Sequence, residues 1–190
     1  MIKLSQKRTK CLLIHPKFSP YSFWNFVEVS KIVGAKYQAA PLGLMTVAAL
    51  LPQEWEIKLI DTNVEPLLNE HFAWADLVFT GGMLPQQIAI LDIINLSQQK
   101  NKPVVVGGPD PTSQPHLYQS ADYLVLGEGE NTIPMFLKDL VNGSKSGEYI
   151  SPDYADMTNA VVPRFDLIKF ENYIHLNIQF TRGCPFNCEF

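Results

Sequence analysis

The chain has no apolar run long enough to span a bilayer: its longest, around residues 41–51, is about half the roughly 20 residues a membrane helix needs. The short apolar run at Cys11–Ile14 is likewise too short for a secretory h-region. Basic residues are also scarce. Fifteen Lys and Arg against nineteen Asp and Glu leave a net charge of −4, so no basic face is available for nucleic acid. Neither G-x-G-x-x-G after the first apolar run nor G-x-x-x-x-G-K-[ST] occurs anywhere, which removes nicotinamide dinucleotides and ATP from consideration. Only four histidines are present (His15, His71, His116 and His175), and no two have metal-ligand spacing. Three cysteines are too few for a disulfide framework and suit a cytoplasmic protein with no transmembrane segment.

What the chain does have is a repeated alternation. Five short, β-branched apolar runs occur at 10–15, 56–61, 75–82, 102–108 and 121–129, and most end in glycine. They lack the alternation of a half-exposed strand and fit strands covered on both faces. Helical patterns separate them at 41–52, 85–101 and 131–143, with a weaker one inside 62–74. The expected fold class is α/β: a doubly wound, flavodoxin-like (Rossmann-like) five-stranded parallel sheet in the order 2-1-3-4-5, with ligands beyond the carboxyl ends of its strands. Residues 1–143 form this domain. Residues 144–173 read as a linker, and 174–180 as a further strand with Ile174, Leu176, Ile178 and Phe180 on one side. It opens a second domain over 174–190.

Three glycine turns, Gly81-Gly82, Gly107-Gly108 and Gly127/Gly129, fall at the carboxyl ends of successive strands. One such pair is what any tight strand-to-helix turn requires; three at one sheet edge favour a flat ligand lying across it. Residues 16–40, after the first strand and at the switch point, carry the five aromatics Phe18, Tyr21, Phe23, Trp24 and Phe26. A segment of that length is either functional or a lid on the domain's own core. Cys11 reads as a small buried hydrophobe, and His15 as a satisfied structural residue. Cys184 and Cys188 instead sit among Arg, Gly, Pro and Asn, in a turn.

The stretch from "ADLVFTGGMLPQQ" through "VVVGGPDPTSQ" to "YLVLGEGENTIPMFLKDL" resembles the corresponding half of cobalamin-binding domains. That resemblance implies a slot for the cofactor's nucleotide tail lined by Thr80, Gly81, Gly82, Met83, Gly107, Gly108, Pro109, Asp110, Gly127, Glu128, Gly129 and Glu130. The D-x-H-x-x-G motif by which many such domains ligate cobalt is replaced by "HPKFSPYSFW", so no protein histidine is expected below the metal. The ending "IHLNIQFTRGCPFNCEF" resembles the first barrel strand and cluster loop of radical S-adenosylmethionine (SAM) enzymes, whose signature is C-x3-C-x2-C. On that pattern Cys184 and Cys188 are two of three ligands to a [4Fe-4S] cluster that binds S-adenosylmethionine. The third would fall just after Phe190, so the chain reads as truncated inside the motif.

Together the two resemblances imply the cobalamin-binding module of a radical SAM methyltransferase that moves a methyl group from methylcobalamin to carbon, nearest the subgroup with hopanoid C-2 methylases. Its partners would be cobalamin and the C-terminal radical SAM barrel of the same parent chain, and the 190 residues alone would be inactive. Two other readings stay open: a degenerate, cobalamin-free scaffold domain, or a module of a cobalamin-dependent radical SAM enzyme that does not methylate.

Overall fold

The computed structural model describes residues 8–183 and residue 186. Strands β1 (Lys10–His15), β3 (Glu56–Asp61), β4 (Leu77–Gly81), β5 (Val104–Gly107), β6 (Tyr123–Leu126) and β7 (Gly147–Ile150) form one parallel sheet in the order β3-β1-β4-β5-β6-β7. The first five strands follow the flavodoxin-like order. The sixth is an addition: residues 147–150, read from the sequence as linker, pair with β6 from Tyr123↔Gly147 to Leu126↔Ile150. The sequence signal was weak because β7 is an edge strand that buries only Tyr149.

Alternate residues of each strand serve opposite faces of the sheet. Leu13, Phe79, Val105 and Val125 point to one side and pack with α2 (Leu42–Leu50) and α6 (Gly129–Val141). Leu12, Ile14, Val78, Val104 and Val106 point to the other and pack with α3 (Asn69–Trp74) and α4 (Gln87–Gln99). Helix α4 presents Ile90, Ile93 and Ile94 to the sheet and leaves Ile88 exposed. Helix α6 starts two residues earlier than its Asn131-Thr132 pair indicates. Thr132 donates its hydroxyl back to the Glu128 carbonyl (3.0 Å) instead of capping the helix. A short helix, α5 (Pro109–Ser113), follows β5. Cys11 is fully buried, and burial pushes its thiol well above the ordinary range.

Two more elements lie after β1 and near the end of the described chain. Residues 16–40 contain α1 (Val27–Ile32) and β2 (Tyr37–Ala39), and β2 pairs in parallel with β8 (Tyr173–His175) as a separate two-stranded sheet. The strand expected over 174–180 is therefore confined to 173–175. Ile174, Leu176, Ile178 and Phe180 are all exposed, and without a second apolar surface to cover that stripe the alternation does not extend the ladder. Tyr173 is the buried residue of β8. Its hydroxyl donates to Asp61 Oδ2 (3.0 Å) at the end of β3. Asp61 is itself buried and accepts from Asn63 N (2.9 Å) and Nδ2 (2.8 Å). Asn63 Oδ1 in turn accepts from Phe18 N (3.0 Å). One carboxylate thus holds together the end of β3, the segment after β1 and β8.

On the α2/α6 side, Phe136 is fully buried and meets the rings of Phe79, Tyr123 and Tyr149 edge-on at 5.8, 5.0 and 5.8 Å. Truncating it removes the common member of all three pairs. Phe136→Ala should lower unfolding free energy by about 3–5 kcal/mol, measured by urea denaturation; a loss under about 1 kcal/mol would refute this account of the core.

Candidate functional site

At the carboxyl edge of the sheet the backbone comes unusually close to itself. Gly81 and Gly107 are register partners on β4 and β5. A Cβ on Gly81 would lie 1.9 Å from the Gly107 carbonyl oxygen, and one on Gly107 would lie 2.6 Å from that of Val125. Gly108 follows at φ +99°, where a Cβ would also approach Gly82 N to 2.9 Å. These positions exclude side chains because the strand ends and the turns after them pack on one another. The glycines therefore do structural work as well as clearing space.

The space they clear is a cavity of about 700 Å³ between the sheet edge, α2, α6 and the segment after β1. Its lining is mostly apolar: Leu42, Val47 and Leu50 from α2, Phe79, Val105 and Val125 from the strands, and Ile133 from α6. Helix α2 explains itself here, since its near-continuous apolar sequence serves the core on one side and the cavity on the other. Of the positions singled out in the sequence, Thr80, Gly81, Gly82, Met83, Gly107, Gly108, Pro109, Gly127, Glu128, Gly129 and Glu130 all line the cavity. Asp110 is not among them. It is buried behind the edge, where its carboxylate accepts from Gln87 Nε2 (3.0 Å), Gln114 Nε2 (3.0 Å) and the Tyr118 hydroxyl. Its role is to fix α5 and the turn after it, and burial with that contact pushes the Tyr118 phenol up. Cys184 and Cys188 lie outside the described residues.

Several wall residues carried no sequence signal. Gln86 looks like a surface glutamine but is 1% exposed. Its Oε1 accepts from Met83 N (3.0 Å) and its Nε2 donates to the Pro16 carbonyl (2.6 Å). It braces the turn after β4 against the segment after β1. His15, which also lines the cavity, stands 3.4 Å from Gln86 Nε2 and edge-on to Phe18 at 5.8 Å. Burial lowers its pKa, an effect Asp61 partly opposes, so the ring is held neutral. Trp24 reaches the cavity while Tyr21 and Phe23 stand in solvent, so the aromatic segment is only in part a wall. The Tyr37 hydroxyl fixes it by donating to the Trp24 carbonyl (2.9 Å).

The rim carries charge. Arg182 places Nη1 2.9 Å from Glu130 Oε2 and Nη2 2.5 Å from its Oε1, with Glu128 Oε1 3.4 Å from Nη1. The guanidinium holds the Glu130 carboxyl below the usual carboxylate range. Asn177, Ile178 and Gln179 line the cavity beside it.

A family model, the B12 binding domain, matches residues 32–137, which hold α2, the three glycine turns and most of α6. The chain belongs to the B12-binding domain family. It is 42% identical over 183 residues to an uncharacterized methyltransferase of Synechocystis sp., covering 95% of this chain and 34% of that protein. It is 35% identical over 154 residues to the hopanoid C-2 methylase of Rhodopseudomonas palustris, covering 79% and 29%. Against the bacteriochlorophyllide d C-8(2)-methyltransferase of Chlorobaculum tepidum it is 27% identical over 158 residues, covering 78% and 34%. The chain thus spans about a third of the length of these curated relatives. Among the described residues no group of His, Cys, Asp and Glu could hold a metal ion, and no helix is long and apolar enough to cross a membrane.

The two classes of glycine at this cavity separate experimentally. Gly43, on α2, lines the cavity, yet a Cβ there would meet nothing within 4 Å. Gly81→Ala should cost about 1–3 kcal/mol or more, as for overpacking generally, while Gly43→Ala should be neutral to stabilising. Chemical denaturation of the two variants measures this, and equal stabilities would overturn the distinction.

Proposed function

We propose that this chain is the cobalamin-holding module of a radical SAM methyltransferase. The observation that carries the proposal is the continuous cavity at the carboxyl edge, formed by all three glycine turns inside the region the B12 binding domain matches. Its fit to the cofactor is physical. A volume of about 700 Å³ lies in the range of sites that enclose drug-sized groups. It suits a nucleotide tail, leaving the corrin over the mouth. The glycine turns let backbone approach a phosphodiester closely, and the apolar wall of Val47, Leu50 and Ile133 suits a planar base.

In this reading Thr80–Met83, Gly107–Pro109 and Gly127–Glu130 hold the cofactor, and Asp110 is excluded because it faces away from the cavity. Bound methylcobalamin supplies the methyl group for transfer to a carbon centre, and this chain's residues bind it, orient it and keep water from its tail. Thr80 is committed elsewhere through its hydroxyl, which donates to the Ile14 carbonyl (3.0 Å), so it contributes shape to the slot. His15 is neutral and packed against Gln86 and Phe18, an arrangement that suits a wall residue. The names of the methyltransferase relatives support methyl transfer as the parent activity. By resemblance, Cys184 and Cys188 begin the motif that holds a [4Fe-4S] cluster and S-adenosylmethionine in the full-length parent.

Titration of the chain with hydroxocobalamin, followed by visible absorbance, should show saturable binding at one equivalent. Gly43→Trp should abolish it while circular dichroism stays unchanged, because the indole fills the cavity from a position with no steric conflict. Full binding by that folded variant would remove the tail from this cavity. No binding by the unmodified chain would favour the cofactor-free scaffold reading. Paramagnetic resonance of the cob(II)alamin complex should lack strong axial nitrogen coupling; coupling that disappears in His15→Ala would mean that His15 is a ligand after all.

A further inference from the structure

The family match stops at residue 137, yet the cavity does not. Part of its lining is supplied by Asn177, Ile178, Gln179 and Arg182, the last of which contacts the rim turn between β6 and α6. The contact is specific. Arg182 forks onto both oxygens of Glu130 and also reaches Glu128, and all three side chains are three-quarters or more shielded from solvent. Shielded bidentate Arg–carboxylate contacts are the strong, geometrically defined kind, unlike a mobile surface pair. Glu128 is fixed from behind, since its other oxygen accepts from Ala155 N, so the rim presents a prearranged acidic receptor to the guanidinium.

We infer that residues 177–182 are a latched wall of the cofactor cavity: Arg182, held by Glu128 and Glu130, keeps Asn177, Ile178 and Gln179 against whatever fills it. This rests on the cobalamin reading and extends it to a segment outside the matched family region. It also gives the Gly-Glu-Gly-Glu turn two roles, its glycines facing the ligand and its carboxylates holding the wall. Arg182 is a positioning residue in this scheme, since its guanidinium is spent on the rim.

The test uses cobalamin dissociation from the chain, read by visible absorbance after chase into excess apo-binder, with amide hydrogen exchange over 177–182. Bound cobalamin should slow exchange of this segment in the unmodified chain. Arg182→Ala should speed dissociation roughly tenfold, as expected for losing one shielded charge-assisted contact. Arg182→Lys should fall between, lacking the fork. The charge swap of Arg182→Glu with Glu130→Arg should recover part of what Arg182→Glu alone loses, which a merely general loss of stability would not do. Dissociation within twofold of the unmodified chain in Arg182→Ala, or no cobalamin-dependent protection of 177–182, would overturn the latch while leaving cobalamin binding intact. Absence of binding by the unmodified chain would instead overturn the cobalamin reading and the latch with it.

Discussion

Everything at the ligand edge depends on three strand ends packing backbone against backbone. Because Gly81 and Gly107 carry no Cβ, β4, β5 and β6 lie close enough for one residue's α-carbon to face the next strand's carbonyl. That approach sets where the turns begin, sends Gly108 into a left-handed conformation and leaves the edge hollow. A sheet with side chains there would have to splay its strands, and α2 and α6 would have no slot to enclose. The cavity is thus a by-product of a packing solution, with ligand access and fold stability resting on the same residues.

The acidic and polar groups around that edge divide by what they brace. Asp61 ties β3 to the aromatic segment and β8, Asp110 ties α5 to α4, and Gln86 ties the turn after β4 to the segment after β1. Each is buried with its polar atoms engaged, as burial of such groups requires. Glu128 and Glu130 differ in that their partner comes from the far end of the chain. The site therefore has a fixed interior and a wall supplied from a distance.

Much of this was legible in the sequence, and for identifiable reasons. Strands buried on both faces advertise themselves as unbroken β-branched runs, and the glycines that end them mark one edge and its turns; the order of the first five strands came from the flavodoxin-like class that the alternation fits. What escaped was information that pattern does not carry. Tyr149 is the single buried residue of β7, too little to separate a strand from a linker. The alternation at 174–180 is a genuine strand pattern whose pairing is decided by an apolar surface, which residues beyond 175 do not meet among the described residues. The resemblance to cobalamin-binding domains placed Asp110 in the slot with Gly107–Pro109, but one residue along a helix turns a side chain through about 100°. Gln86 and Arg182 gave no signal, since a braced glutamine and a latched arginine read like surface residues until their partners are known.

The parallel pairing of β2 with β8 gives the molecule a temporal order. Tyr37 and Ala39 precede most of the main sheet in sequence, but their ladder partners among the described residues, Tyr173 and His175, emerge only after all six of its strands. The strands of the main sheet can collapse as they are made, as domains generally do while the chain lengthens. The small two-stranded sheet cannot, and neither can the Asp61–Tyr173 contact that locks it. Until then the segment after β1 is held by its contacts with Gln86 and Asn63, without the tie that β8 supplies. Loop closure over so long a span is entropically slow to repay. The nascent chain thus passes through a stage with its main sheet formed and the segment after β1 not yet paired to β8.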